Sequence, residues 1–268
     1  MSVKATISLF QESLRLALYS LRSSLLRTFL TLLGIIVGVT AVIAVVTIIN
    51  GLDSTVASAF SAQGSTVFSV SKQPLVITSR EDFIKFNKRK DITPRDAEAI
   101  DRLCATCWRT GTSINGTGLV KFGDNRSENV SVRGLSVSMF DIENVSLQAG
   151  RIWTVQEGKS GRNTCVIGTD IIENLFPGAS AERVLGQAIR VDGMPFVIQG
   201  VAEPFGKVLG FSRDNFVYIP FESGQRLFGS RDSIVIHVQV KDSRDFETAK
   251  DEARSVMRNR RKKKASET

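Results

Sequence analysis

The sequence predicts one membrane-spanning helix followed by a mixed α+β domain. Three observations carry this. Phe29 to Ile49 is a run of 21 residues without a charge. From residue 117 onward, short runs of β-branched and aromatic residues alternate with turn signals. Capped helical segments flank those runs. The composition agrees: 42% of the 268 residues are hydrophobic and 23% charged, which excludes wholesale disorder, a collagen-like chain and a multi-span apolar bundle.

Before the span, Ile7, Phe10, Leu14, Leu18, Leu21 and Leu25 recur every three or four residues, with Gln11, Glu12, Arg15 and Arg22 between them. That spacing predicts an amphipathic helix over residues 1–28, suited to lie along headgroups or to dock on a cytoplasmic partner. Residues 29–49 form the span. Fourteen of its residues are Phe, Leu, Ile or Val. As a helix it is about 31 Å long, and those side chains favour insertion by about 4 to 8 kcal/mol. Arg15, Arg22 and Arg27 precede it, and no Lys or Arg occurs from Asn50 to Ser71. The positive-inside rule then puts the N-terminus in the cytoplasm and residues 50–268 outside. Ala57-Ser58-Ala59 has the form of a signal-peptidase site, but the segments before it are too long for a cleaved signal. Gly34 and Gly38, one turn apart, open the span to a second helix.

Asp53 to Ala62 continues the helix beyond the apolar run. Val67 to Val70 reads as a strand and residues 72–92 as a polar loop. Thr93-Pro94-Arg95-Asp96 starts a helix that runs to about Leu103. Strands are expected at 118–122, 130–134, 164–168, 188–191, 196–201, 215–219 and 233–240, with a hairpin turn at Asp192-Gly193. Ile171 to Phe176 is a short helix and Phe246 to Asn259 the last one. The fold class is therefore α+β behind a single N-terminal helix.

The charges do not point to nucleic acid. The net charge is +8, yet Arg254, Arg258, Arg260, Arg261, Lys262, Lys263 and Lys264 sit in the last fifteen residues and the rest is near neutral. This basic end reads as a solvated tail, or as one resting on anionic membrane lipid. Catalytic patterns are lacking. Gly158-Lys159-Ser160 ends like a phosphate loop, but Trp153 occupies the place of the first glycine. No GxSxG occurs, and the single histidine, His237, lies in an apolar strand. Cys104 and Cys107 form a CxxC, a pattern open to a redox dithiol or half a zinc site. In an oxidising compartment a structural disulfide is expected instead, joining Cys104 or Cys107 to Cys165. Asn115, Asn125, Asn129 and Asn144 head glycosylation triplets that matter only in a glycosylating host. The loop from Phe205 to Arg213, with Gly206, Gly210 and Phe211, is a candidate partner contact. No metal, cofactor or catalytic residue is assigned.

The stretch from Phe10 through Gly51 resembles the N-terminal elbow helix and first span of MacB-like and FtsX-like ABC transporter permeases. "GRIWT" at 150–154, "CVIG" at 165–168, "LFPG" at 175–178, "LGQAIRVDGMPFVIQGV" at 185–201, "FVYIPF" at 216–221 and "RLFG" at 226–229 follow in the order of that family's periplasmic core domain. The resemblance implies a periplasmic domain of two subdomains, one from about 66–125 plus 221–258 and an inserted one at about 126–220. It implies an inner-membrane permease that dimerises and is driven by a cytoplasmic ATPase subunit, with ATP bound on that subunit. A periplasmic adaptor is a further implied partner. The family has four spans, three of them after the outer domain, so this chain is expected to be the N-terminal part of a permease, truncated or split, with the other spans on another chain. The implied function is conversion of ATP-driven motion into movement of a periplasmic domain, for export or mechanotransmission. The alternative is a single-pass anchored adaptor or scaffold without transport.

Overall fold

The computed structural model describes residues 25–61, 66–73, 80–208, 210–229 and 233–266, together with Glu12, Arg15, Leu16 and Tyr19. The amphipathic segment over 1–28 lies largely outside those residues. The chain forms two units, residues 1–62 and 63–268.

Helix α1 spans Leu25–Ser61. Its stretch Leu25–Thr47, 23 residues, is long and apolar enough to cross a membrane, and none of it is buried within the protein. Thr47 Oγ1 donates to Ile43 O at 2.8 Å. This bond inside the helix satisfies a hydroxyl that an apolar surrounding would otherwise leave unpaired.

Among the described residues the second unit is built on one nine-stranded sheet. Its strands are β1 (Val67–Val70), β2 (Cys107–Phe122), β3 (Asn125–Leu135), β4 (Leu147–Gly150), β5 (Thr164–Ile167), β6 (Ala188–Val191), β7 (Met194–Ala202), β10 (Phe216–Pro220) and β11 (Val235–Val240). Their order is β1-β11-β2-β3-β10-β5-β7-β4, and β6 bridges β2 and β7. Pairings β3–β10 and β5–β7 are parallel and the others antiparallel. Strands β2, β3, β10, β5, β7 and β6 thus close a ring of hydrogen bonds, which leaves none of those six as an edge. The ring surrounds one core, in which Val132, Ile167, Ile189, Phe196 and Val217 pack against α6 (Thr169–Leu175).

The turn between β6 and β7 is Asp192-Gly193, both with positive φ (45° and 88°), as the sequence suggests. The Asp192 backbone N–H donates to Leu119 O at 2.9 Å, and Leu119 N donates back to Asp192 Oδ1 at 2.8 Å, pinning the hairpin to β2. A Cβ on Gly118 would lie 2.5 Å from Asp192 Oδ2, so a larger residue there would have to displace the carboxylate that pins the hairpin.

A second core lies where α3 (Pro94–Leu103) and α8 (Phe246–Ser266) meet β11. Thr93 caps α3 in a capping box with Asp96, as its sequence predicts. Arg260 of α8 donates to the other oxygen of Asp96 at 2.7 Å. Burial alone would raise the Asp96 pKa, but Arg260 and Thr93 outweigh it and hold the carboxyl below its usual range. The third core gathers α4 (Ser138–Ile142), Trp153, Phe216 and Tyr218. Trp153 is buried and meets Phe140 edge to face at 4.9 Å. It therefore serves packing rather than a phosphate loop. Helix α5 (Val155–Lys159) follows, its Thr154 cap closed by Glu157. Hydrogen bonds from Arg151, then from Thr154, hold the Glu157 carboxyl well below the ordinary range.

Several expectations are corrected. Residues 72–92 are not all loop, since α2 spans Arg80–Asn87. The strand expected at 118 begins at Cys107, because β11 and β3 pair with the Thr-, Gly- and Ser-rich first half of β2 and supply its backbone hydrogen bonds. Pro220 is followed by α7 (Phe221–Phe228), and α8 runs past Asn259 to Ser266. The expected disulfide to Cys165 is also overturned. Cys104 bonds to Cys107, while Cys165 is a free, buried thiol of β5. The cysteines belong to different cores, Cys165 to the ring core and Cys104 to the second. Burial pushes the Cys165 thiol pKa far up, so it stays protonated and inert.

His237 of β11 ties three strands together. Its Nδ1 lies 3.1 Å from Ser69 Oγ of β1, and its Nε2 lies 3.0 Å from Ser113 Oγ of β2. Burial lowers its pKa to about 4; Glu143 opposes this by a smaller amount and Arg133 adds to it. The unfolded chain takes up a proton near pH 6.5, and the folded one only near 4. Stability should therefore be whole above pH 6.5 and fall by about 3 kcal/mol as the pH drops to 4. Urea unfolding of the chain and of His237→Gln at pH 7 and pH 5 checks this. The decline between those values should shrink in the variant, because no other histidine is present.

Candidate functional site

The candidate contact loop is a built hairpin. Strands β8 (Lys207–Val208) and β9 (Phe211–Ser212) pair with each other and, among the described residues, with no other strand. Gly206 and Gly210 have φ of +79° and +83°, the left-handed backbone such a tight excursion needs. At the base, the Asp214 carboxylate is buried and accepts from Phe205 N at 2.6 Å and from Gly206 N at 3.0 Å. Arg213 N donates to Gly206 O at 3.0 Å, closing the neck. Phe205 packs on Phe216, whose ring stacks on Tyr218, and so fixes the hairpin to the third core. Phe205 is thus a foot of the loop and not part of its exposed surface. Phe211 is 79% exposed, the most exposed large apolar side chain among the described residues. A large apolar group held outward by a rigid base is suited to contact rather than to chemistry.

Beside it lies a buried ion pair. Arg133 donates to both oxygens of Glu143 at 2.8 and 2.6 Å, and its guanidinium lies 5.4 Å from the Tyr218 ring centroid. Burial works against the charge on Arg133, but Glu143 more than restores it and raises the Arg133 pKa. The pair fastens α4 to β3.

Gly34 and Gly38 lie on α1 with nothing within 4 Å of a Cβ placed on either. They leave a shallow open strip on an exposed apolar helix. The Cys104–Cys107 loop docks on α8: Glu252 accepts from Ala105 N (2.9 Å), Thr106 N (3.2 Å) and Thr106 Oγ1 (3.1 Å). Its role is thus to hold α3 to α8. Among the described residues no group of three or more His, Cys, Asp or Glu is arranged to hold a metal ion. The feature sequence reasoning missed is Asp214, whose signal was an acidic residue closing a Gly-flanked loop.

The family model described as the MacB-like periplasmic core domain matches residues 28–256. The chain belongs to that family. Two curated relatives, the macrolide export ATP-binding/permease proteins MacB of Brucella abortus (strain 2308) and Brucella melitensis biotype 1, are 30% and 31% identical to it over 262 and 266 residues. Each match covers 97% of this chain and 39% of the relative, so the chain spans about two fifths of their length. Among solved structures, the periplasmic region of MacB from Actinobacillus actinomycetemcomitans aligns with a TM-score of 0.61 at 15% identity, covering 74% of this chain and 85% of that one. The extracellular domain of the noncanonic ABC-type transporter YknZ from Gram-positive bacteria aligns with a TM-score of 0.58 at 19% identity, covering 72% and 94%. At these identities the likeness is one of fold. The MacB-like core and the apolar helix together make this a membrane-anchored protein with a periplasmic-type domain.

Replacing Asp214 with Ala should cost about 2 to 4 kcal/mol by removing a buried charge that holds two amides. It should also speed hydrogen exchange at Phe205 and Gly206. Phe211→Ala should change stability by less than about 0.5 kcal/mol, because the ring buries little within the chain. Urea denaturation with amide exchange measures both.

Proposed function

We propose that the chain is the anchored outer part of an ABC-type export permease, passing motion generated by a separate ATP-hydrolysing subunit to the far side of the membrane. The observation that carries this reading is the match of the MacB-like core from residue 28 to 256, which begins inside the helix able to span a bilayer. Arg15, Arg22 and Arg27 before the span support a cytoplasmic N-terminus. Helix α1 has 37 residues, about 55 Å, and exceeds the hydrocarbon thickness of about 30 Å. The excess suits a helix that projects beyond the bilayer. A body with a closed ring of strands and close-packed cores suits a part that moves as a unit, since packed interiors deform little.

In this reading the strip at Gly34 and Gly38 receives a helix of a second copy or of a chain carrying further spans. Phe211 touches a periplasmic partner such as an adaptor. ATP binds on the other subunit and no catalytic residue is needed here. The names of the relatives support export as the class of activity.

The full chain, tagged and purified in a mild detergent, should bring down an ABC ATPase subunit and a multi-span chain or a second copy. Gly34→Leu with Gly38→Leu should lower recovery of the membrane partner at least tenfold without changing stability. Recovery of extracytoplasmic proteins alone would favour an anchored adaptor and contradict the proposal.

A further inference from the structure

Helix α8 sorts its charges by face. Lys250, Arg254, Arg258 and Arg261 lie on one side, spaced by three or four residues, and Glu247, Asp251 and Glu252 border the other. The basic side borders a groove of about 470 Å3 between α8 and β1. Phe68, Val70 and Met257 give it an apolar lining and pack into the second core. Among the described residues strand β1 pairs only with β11, so it forms the outer border of the sheet there. Lys250 and Arg254 are partly neutralised by Glu247 and Asp251 one turn away. Arg258 and Arg261 are exposed and form no ion pair among the described residues. Their neighbour Arg260 turns to Asp96 instead. The cations at this end of the chain are therefore not a uniformly solvated tail: three of them crown an apolar cleft.

We propose that this groove binds an anionic phospholipid of the membrane that anchors the chain, with the phosphate at Arg254, Arg258 and Arg261 and the first acyl carbons along Phe68, Val70 and Met257. Charge complementarity selects an anion, and guanidinium groups fit phosphate oxygens as paired donors. The apolar lining selects an anion with a hydrocarbon continuation rather than a bare ion. The volume suits a headgroup with part of its chains, whereas a folded acidic protein would need an interface of about 800 Å2 on each partner. The helix in the same chain tethers the domain to a lipid source.

The test uses the full chain in a neutral detergent, titrated with a fluorescent short-chain phosphatidylglycerol and followed by anisotropy. Arg258→Glu with Arg261→Glu should weaken binding about 30-fold, each lost contact being worth about fivefold near a surface. Lys121→Glu with Arg183→Glu makes the same change in net charge at exposed positions elsewhere and should alter it less than about twofold. Unlabelled phosphatidylglycerol should compete, and phosphatidylcholine should not. An unchanged affinity in the first variant, or equal loss in both, overturns the proposal. So does equal competition by inorganic phosphate or glycerophosphoglycerol, which would make the ligand a free anion, or stronger competition by a poly-glutamate peptide, which would make it an acidic polypeptide. No ATPase enters the measurement, so its failure is distinct from failure of the export reading.

Discussion

Everything in this protein depends on where the apolar surface of α1 is placed. Across Leu25–Thr47 none of the described side chains is buried, and Leu, Ile, Val and Phe residues stand about half exposed or more. Each such side chain gains about 1.5 to 3 kcal/mol on leaving water. Summed over more than a dozen, that exceeds the whole stability of an ordinary domain, about 5 to 15 kcal/mol. The second unit has complete cores of its own, so it does not need this surface. Lipid, with helices that pack in lipid, is the environment that answers the demand.

The second unit uses its buried and half-buried polar residues to join its elements. Asp214 fixes a loop neck, Glu252 fixes the Cys104–Cys107 loop to α8, Asp96 and Arg260 join two helices, and Arg133 with Glu143 locks α4 to β3. The bonds of Glu252 and of Asp96 with Arg260 connect segments more than 140 residues apart, and the other two join successive elements. Strand β2 extends the same logic along the backbone, pairing with β11 at its start and β6 at its end, so that the second core and the ring core share one strand. Such construction resists internal deformation, and the surfaces proposed for contact lie at the margins: the glycine strip of α1, Phe211 on its hairpin, and the basic groove beside β1.

Much of this was legible because some signals are local. The span follows from an uncharged run, α3 from Thr93-Pro94 with Asp96, and the β6–β7 turn from Asp192-Gly193, each set by a few adjacent residues. The first half of β2 was not legible, because Gly111, Asn115 and Gly116 interrupt its β-branched and aromatic residues and the strand depends on two partners from elsewhere in the chain. The pairing of Cys104 required knowing that Cys165 lies in a different core. The spacing of Arg254, Arg258 and Arg261 was visible, but its meaning came from β1, more than 180 residues earlier, lying alongside. Asp214 carried a weak signal of the same kind, since its two amide partners lie eight and nine residues before it.

The central proposal is that α1 crosses the membrane once and that the α+β unit lies on the outer side. Protease added to intact spheroplasts, with tags at both ends of the full chain, tests it directly. The account predicts that the C-terminal tag and the body are digested while the N-terminal tag survives until lysis. A body that resists protease in intact spheroplasts and is cleaved only after lysis would contradict it.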